Sequence, residues 1–300
     1  MKELSQSDVG TIPVVGLDDA VAYRRNAVVK ALRSVLVSSR RILPDSLYNP
    51  LYNTSFELYR AALRLMYLRK VVAESFNGTS GTLPKYKTVR QVMPHSLVGS
   101  AGLEATFDAA VDVVQRGIPG AFVECGVAQG GCSALMAMVA KADSRPRNMW
   151  LFDSFQGLPA PTTADFDNSG KWTGQHVRPL PPGSCLGTKG EVESLLFEKF
   201  DLGRNSVFLV EGWFQDTLLK NRDRVGAISL LRIDGDWYES TKCCLHSFYD
   251  SITPGGYVII DDYGVCFGCK RAVHEFLDEK QISPSLVTDG RGGISFVKPS

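Results

Sequence analysis

The stretch LLRIDGDWYESTKCCLHSFYDSITPGGYVIIDDY, residues 230–263, decides the fold. It holds two apolar runs, Leu230 to Ile233 and Tyr257 to Ile260. Asp234 and Asp236 follow the first, and Asp261 and Asp262 follow the second. Short apolar runs without alternation suit strands buried on both faces, as in a parallel sheet flanked by helices. Between them, Glu239, Ser240 and Thr241 open a helical segment, and Pro254, Gly255 and Gly256 close it with a turn. The unit reads as strand, crossover helix, strand, with both strands in one sheet and their carboxyl ends level. Four aspartates then meet at the edge where open α/β sheets bind ligands, a place to hold a divalent cation.

Upstream, GAFVECGVAQGGCSALMAMVA (residues 120–140) reads as a strand, a glycine-rich turn and an apolar helix. Glu124, Gly126 and Gly130 make an E-x-G-x-x-x-G pattern, in which missing side chains let a ligand approach the backbone and the helix N-terminus. The dinucleotide spacing G-x-G-x-x-G is absent. The next strand, Asn148 to Phe152, ends at Asp153, at the distance where an acidic residue takes the ribose hydroxyls of a nucleotide. A further apolar run, Ser206 to Val210, leads into Glu211-Gly212-Trp213, which offers an acid, a bare backbone and an aromatic face to an adenine.

Residues 154–190 contain five prolines among polar residues and show no helical period. An insertion of that length at the carboxyl edge of a sheet reads as a substrate-covering loop. His176 within it reads as a solvated loop residue. Helices are expected over 103–116 and 270–279, and a final strand over Ile294 to Val297. Toward the N-terminus, residues 1–20 read as a loose arm. Residues 20–42 form an amphipathic basic helix, a turn follows at Asn49 and Pro50, and a second helix covers 55–76. Asn77 to Pro84 reads as a linker or a flexible lid, and as the boundary between an arm and helical extension (1–90) and a catalytic domain (91–300).

With 300 residues, 44% apolar and 22% charged, the chain has ample core for one large domain with an appendage. Its net charge of +1 gives no case for nucleic acid, and no basic stripe interleaved with aromatics appears in the catalytic part. The balance is uneven: residues 1–90 carry 14 basic and 7 acidic side chains, leaving 19 and 25 for the rest. No apolar run nears the roughly eighteen residues of a membrane span. Nothing reads as a secretory signal, so a cytoplasmic protein is expected. Seven cysteines, an odd number, read as reduced core thiols, and the Cys266–Cys269 CxxC without a second such pair reads as structural rather than as a zinc site.

GIPGAFVECGVAQGG (117–131), LFDSFQGLP (151–159), LLRIDGDWYEST (230–241) and PGGYVIIDDYG (254–264) resemble the macrocin O-methyltransferase family, which acts on sugars of macrolides and aminocoumarins. The likeness is continuous from about Pro94 to Lys298. It implies a class I methyltransferase fold: an α/β, Rossmann-like, seven-stranded, mostly parallel sheet flanked by helices and ending in an antiparallel hairpin. It also implies S-adenosylmethionine and Mg2+ as cofactors. By this resemblance the metal ligands fall on Asp234, Asp261 and Asp262, and the general base on Asp236. The cofactor contacts fall on Glu124, Gly126, Asp153, Ser133, Gly212 and Trp213, to which the glycine pattern adds Gly130. The segment HSLVG (95–99) resembles the piece that closes over the cofactor. Residues 1–80 and the loop 162–185 resemble nothing in the family, which leaves the acceptor open.

The chemistry agrees with the resemblance. A sugar hydroxyl is too weak an acid to attack at neutral pH unaided, and hard carboxylate ligands favour Mg2+, an ion that acidifies a nearby hydroxyl. Asp236 has two readings, proton acceptor or cap of the helix beginning near Glu239. Two other functions share some of these features, a catechol-type O-methyltransferase acting on an aromatic diol and a non-catalytic cofactor-binding scaffold. A nicotinamide oxidoreductase has no use for four clustered aspartates. A homo-oligomer is expected from the helical extension.

Overall fold

The computed structural model describes residues 14–15, 39, 42–77, 83–173 and 179–299. Its strands are β1 (Val14–Val15), β2 (Ala121–Cys125), β3 (Met149–Asp153), β4 (Val207–Glu211), β5 (Ile228–Ile233), β6 (Ile252–Ile260), β7 (Leu286–Thr288) and β8 (Ile294–Val297). They form one sheet in the order β1-β7-β8-β6-β5-β2-β3-β4. Only the β6–β8 and β7–β8 pairs are antiparallel. The expected seven-stranded sheet is β2 to β8, and β1 adds a parallel two-residue strand beside β7 from what the sequence marks as a loose arm.

Eight helices flank the sheet among the described residues: α1 (Asp45–Asn77), α2 (Lys85–Val92), α3 (Ser100–Gln115), α4 (Gly131–Ala142), α5 (Lys189–Glu193), α6 (Phe214–Val225), α7 (Tyr238–Phe248) and α8 (Phe267–Glu279). One core cluster gathers residues of α2, α3 and α4 on one face, among them Val89, Leu103, Phe107 and Leu135. The other gathers α6, α7 and α8 on the opposite face around Phe152, Leu245, Phe248 and Phe276. Central β2 and β5 are buried at every position, while edge strand β4 is not. The unalternated apolar runs are therefore the strands with helices on both sides.

Two local readings are corrected. The turn expected at Asn49 and Pro50 lies inside α1, where proline removes one hydrogen bond early in a 33-residue helix instead of ending it. The turn expected at Pro254 to Gly256 is a bulge inside β6. Ile228 pairs with Ile252 but Leu230 pairs with Tyr257, and a Cβ on Gly256 would stand 2.8 Å from the Ser229 carbonyl oxygen. The basic helix expected over 20–42 and His176 fall outside the described residues, except for Ser39 and Ile42.

Candidate active site

Register alone brings the aspartates together. Ile233 pairs with both Cys125 and Ile260, so the residues after β2, β5 and β6 emerge level. The ladder continues past the strand ends, with the Asp234 amide donating to the Cys125 carbonyl at 2.8 Å and the Asp261 amide to the Ile233 carbonyl at 3.0 Å. Strand order reverses at β2, the position where such sheets open a ligand crevice. Ligand oxygens of Asp234, Asp261 and Asp262 lie within 4.8 Å of one another. Asp236 follows at φ 57°, an uncommon conformation for a non-glycine residue, and its amide donates to Asp262 Oδ2 at 3.0 Å. It does not cap α7, whose N-cap is Trp237 with no side-chain cap bond.

Sequence reasoning missed the counter-charge. Arg232, inside the apolar run of β5, is fully buried. Its Nη1 donates to Asp234 Oδ2 at 2.7 Å and to Glu124 Oε1 at 3.4 Å, and its Nη2 donates to Asp261 Oδ1 at 2.7 Å. Burial opposes its charge, and the surrounding carboxylates more than offset that, holding its pKa well above the ordinary value. Arg291 donates to Asp261 Oδ2 at 3.1 Å and to the Leu97 carbonyl at 3.5 Å, which ties the segment 95–99 to the cluster.

Next to the aspartates lies the glycine turn. Gly126 has φ 96°, and an added Cβ would overlap the carbonyl oxygen of Asp234. Its bareness lets two strand ends pack backbone to backbone. Gly130, at φ 83°, precedes α4 with no side-chain cap, leaving the helix N-terminus to backbone amides. Asp153 Oδ2 accepts from the amides of Val127 and Ala128 at 2.7 and 3.1 Å, and its Oδ1 accepts from Phe155 at 2.7 Å. Glu124 and Ser133 are buried and hydrogen-bonded to each other behind this turn. Gly212 and Trp213 follow β4, where the Gly212 amide donates to the Asp153 carbonyl at 2.9 Å and Trp213 caps α6.

The insertion between β3 and α5 lies over this edge. Asp165, a fully buried residue with no sequence signal beyond its place after Thr162, accepts from the Tyr238 amide at 2.7 Å at the start of α7. Trp237 donates Nε1 to the Pro159 carbonyl at 2.9 Å, and its ring meets Trp172 edge-on at 5.8 Å. Gly187 packs so tightly on Ala128 that an added Cβ would overlap its carbonyl. The covering loop expected from sequence is thus anchored to both halves of the site. Cys266 and Cys269 are free and buried. Cys266 also falls within ligand distance of Asp236 and Asp262, and we assign the pair a structural part at the start of α8.

Protein encloses much of the cluster, with Asp261 and Asp262 buried and Asp234 and Asp236 partly so. Burial, reinforced by Asp234, pushes Asp236 up to about 8. Burial also pushes Glu124 up to about 8 against the pull of Arg232. Asp234 and Asp262 are raised by burial first and by neighbouring carboxylates second. In metal-free protein these carboxyls hold protons that the unfolded chain releases near pH 4, so their contribution to stability is complete below that and fades as pH climbs to about 8. Buried His274, held down to about 4, works oppositely below its ordinary 6.5. Between pH 6.5 and about 8.5 the melting temperature of EDTA-treated protein is therefore expected to fall. A flat or rising profile would contradict the desolvated cluster.

A profile of the Macrocin-O-methyltransferase (TylF) family matches residues 56–295. The chain belongs to that family. It is 36% identical over 201 residues to the demethyldecarbamoylnovobiocin O-methyltransferase of Streptomyces niveus, covering 67% of this chain and 74% of that protein. To the mycinamicin III 3''-O-methyltransferase of Micromonospora griseorubida it is 31% identical, covering 67% of this chain and 77% of the other. The solved O-methyltransferase NovP superposes with a TM-score of 0.59 at 34% identity, over 69% of this chain and 83% of that one. As a macrocin-O-methyltransferase family member the protein is an enzyme, an S-adenosylmethionine-dependent O-methyltransferase. Its donor set suits the family's Mg2+. Three hard carboxylates converge, and although Arg232 and Arg291 engage three of their oxygens, a carboxylate oxygen keeps a second lone pair.

Proposed function

We propose that this protein transfers the methyl group of S-adenosylmethionine to a sugar hydroxyl of a glycosylated natural product, with Asp234, Asp261 and Asp262 holding Mg2+ and Asp236 as general base. The observation that carries the reading is the three-carboxylate cluster beside a glycine turn and beneath an anchored insertion. The relatives act on sugar-bearing molecules by their names, novobiocin and mycinamicin precursors. The unit we assign to catalysis is 91–300, with 1–90 appended and the whole acting as a homo-oligomer. We place it in the cytoplasm. No described helix is long and apolar enough to cross a membrane, and all seven cysteines are free.

When bound, Mg2+ supplies the Lewis acidity that lowers the pKa of a hydroxyl beside it, and S-adenosylmethionine supplies an electrophilic methyl group. The chain supplies position and a proton acceptor. Asp153, gripping the Val127 and Ala128 amides, fixes the turn that would meet the donor nucleoside and keeps lone pairs for ribose hydroxyls. Gly126, Gly130, Gly212 and Trp213 shape the rest of that wall. Glu124 and Ser133 lie one layer deeper and would act by holding the turn and Arg232 in place. Asp236, which caps no helix, stands beside the metal ligands, where its carboxylate would take the hydroxyl proton. The insertion excludes water from the reacting atoms.

Assay of the protein with S-adenosylmethionine and Mg2+ against sugar glycosides and catechols tests the reading. Methylation of glycosides supports it, whereas turnover on catechols alone, or on no acceptor despite donor binding, would replace it with one of the other two functions. For Asp236 the outcome is kinetic. Asp236→Asn is expected to keep donor affinity within about twofold and lose about 10²–10⁴ in kcat. A variant that turns over normally is not missing its base.

A further inference from the structure

Helix α1 carries two faces. Its inner face holds the catalytic domain: Tyr67 is buried, Lys70 bonds Glu104 at 2.7 Å, and the Glu74 carboxylate accepts the Tyr86 and Lys87 amides at 3.0 Å each. The outer face is apolar and open. Leu58 is 68% exposed, Leu65 71% and Phe76 85%, with Leu47, Leu51 and Val72 also exposed. The pattern is regular. Leu51, Leu58, Leu65 and Val72 recur every seven residues, and Leu47, Thr54, Ala61 and Leu68 form a second such row, every member exposed. Two rows with this repeat make the seam of a left-handed helix pair.

We propose that α1 packs antiparallel against α1 of a second copy of this chain. This deepens the homo-oligomer reading by naming its surface. One register closes every layer: Leu47 meets Val72 of the partner subunit, Leu51 meets Leu68 of the partner subunit, and Leu58 meets Ala61 of the partner subunit, each contact repeated across the two-fold. The flanking charges choose the direction. In this register Arg64 lies away from Arg69 of the partner subunit, whereas a parallel pair sets the two side by side. The seam spans about 38 Å of helix at 1.5 Å per residue. Its exposed side chains offer several hundred Å² of apolar surface, the scale on which interfaces of about 800 Å² per partner are built.

The test is light scattering on the full chain, with S-adenosylhomocysteine binding as the check on folding. Wild type is expected at twice its 32.8 kDa. Leu58→Glu with Leu65→Glu is expected to bind the nucleoside normally and to raise the dimer dissociation constant by at least about thirtyfold. Thr54→Cys with Leu65→Cys should cross-link the dimer under mild oxidation, because antiparallel packing sets these two positions against each other, and Leu65→Cys alone should not. A monomeric wild type overturns both the seam and the homo-oligomer, whatever covers the stripe. An oligomer indifferent to the leucine changes overturns the seam alone, and cross-linking by Leu65→Cys alone, or none by the cysteine pair, overturns the antiparallel register.

Discussion

Asp261→Asn is expected to lower methyl transfer by about a thousandfold at saturating Mg2+, and to weaken the fold as well. Asp261 is bonded on both oxygens, Oδ1 by Arg232 at 2.7 Å and Oδ2 by Arg291 at 3.1 Å. An amide in its place removes a negative charge, sets an NH2 against one guanidinium, and leaves a buried cation short of a partner. Asp262→Asn separates the two effects. Among the described residues the Asp262 carboxylate takes only the Asp236 amide, and its burial already disfavours its charge. This variant should lose activity on a similar scale while its melting temperature, measured without metal, stays level or rises. Calorimetric titration with Mg2+ should show weakened binding in both. Turnover within about tenfold of wild type in either variant would remove that residue from the metal site.

The second large effect falls on stability. Arg232→Met is expected to cost about 3–5 kcal/mol in urea unfolding without metal, because it leaves the Glu124 and Asp234 carboxylates without their bonded cation and Asp261 with Arg291 alone. Mg2+ should return part of that loss, as a ligand that binds only the folded state raises its stability. Arg232→Lys keeps the charge but not the two-pronged donor geometry and should fall between. A cost below about 1 kcal/mol for Arg232→Met would mean that the carboxylates relax by taking protons and that the guanidinium is incidental.

The aspartates were legible because a parallel strand announces itself as an apolar run and its chemistry collects where that run stops. Asp234 and Asp261 lie 27 positions apart in sequence, yet the crossover rule puts them side by side. Arg232 was not legible for the reciprocal reason. Within LLRI it reads as an interruption, and only the sheet order, which sets β2 and β6 on either side of β5, supplies the Glu124 and Asp261 that make its burial tolerable. Asp165 and Arg291 stayed hidden because each acts across a long loop, on partners 73 and 30 positions away. At Pro50 and Pro254 to Gly256 the local turn signals were real, but helix length and sheet pairing overrode them. The heptad of α1 was present in the sequence, though one face of a helix is indistinguishable from the other until the structure shows which is covered.

The contact between Gly126 and the Asp234 carbonyl sets a limit on how this enzyme can diversify. The turn we assign to the donor and the strand end we assign to the metal touch through bare backbone, so their spacing is set by main-chain atoms rather than by exchangeable side chains. Under that assignment changes of acceptor come from the roof, the insertion after β3, whose described residues rest on this floor through a few anchors such as Asp165, Trp237 and Gly187. Exchanging that roof between relatives while leaving those anchors in place is the practical route to a new sugar, because the reacting geometry is not part of what is exchanged.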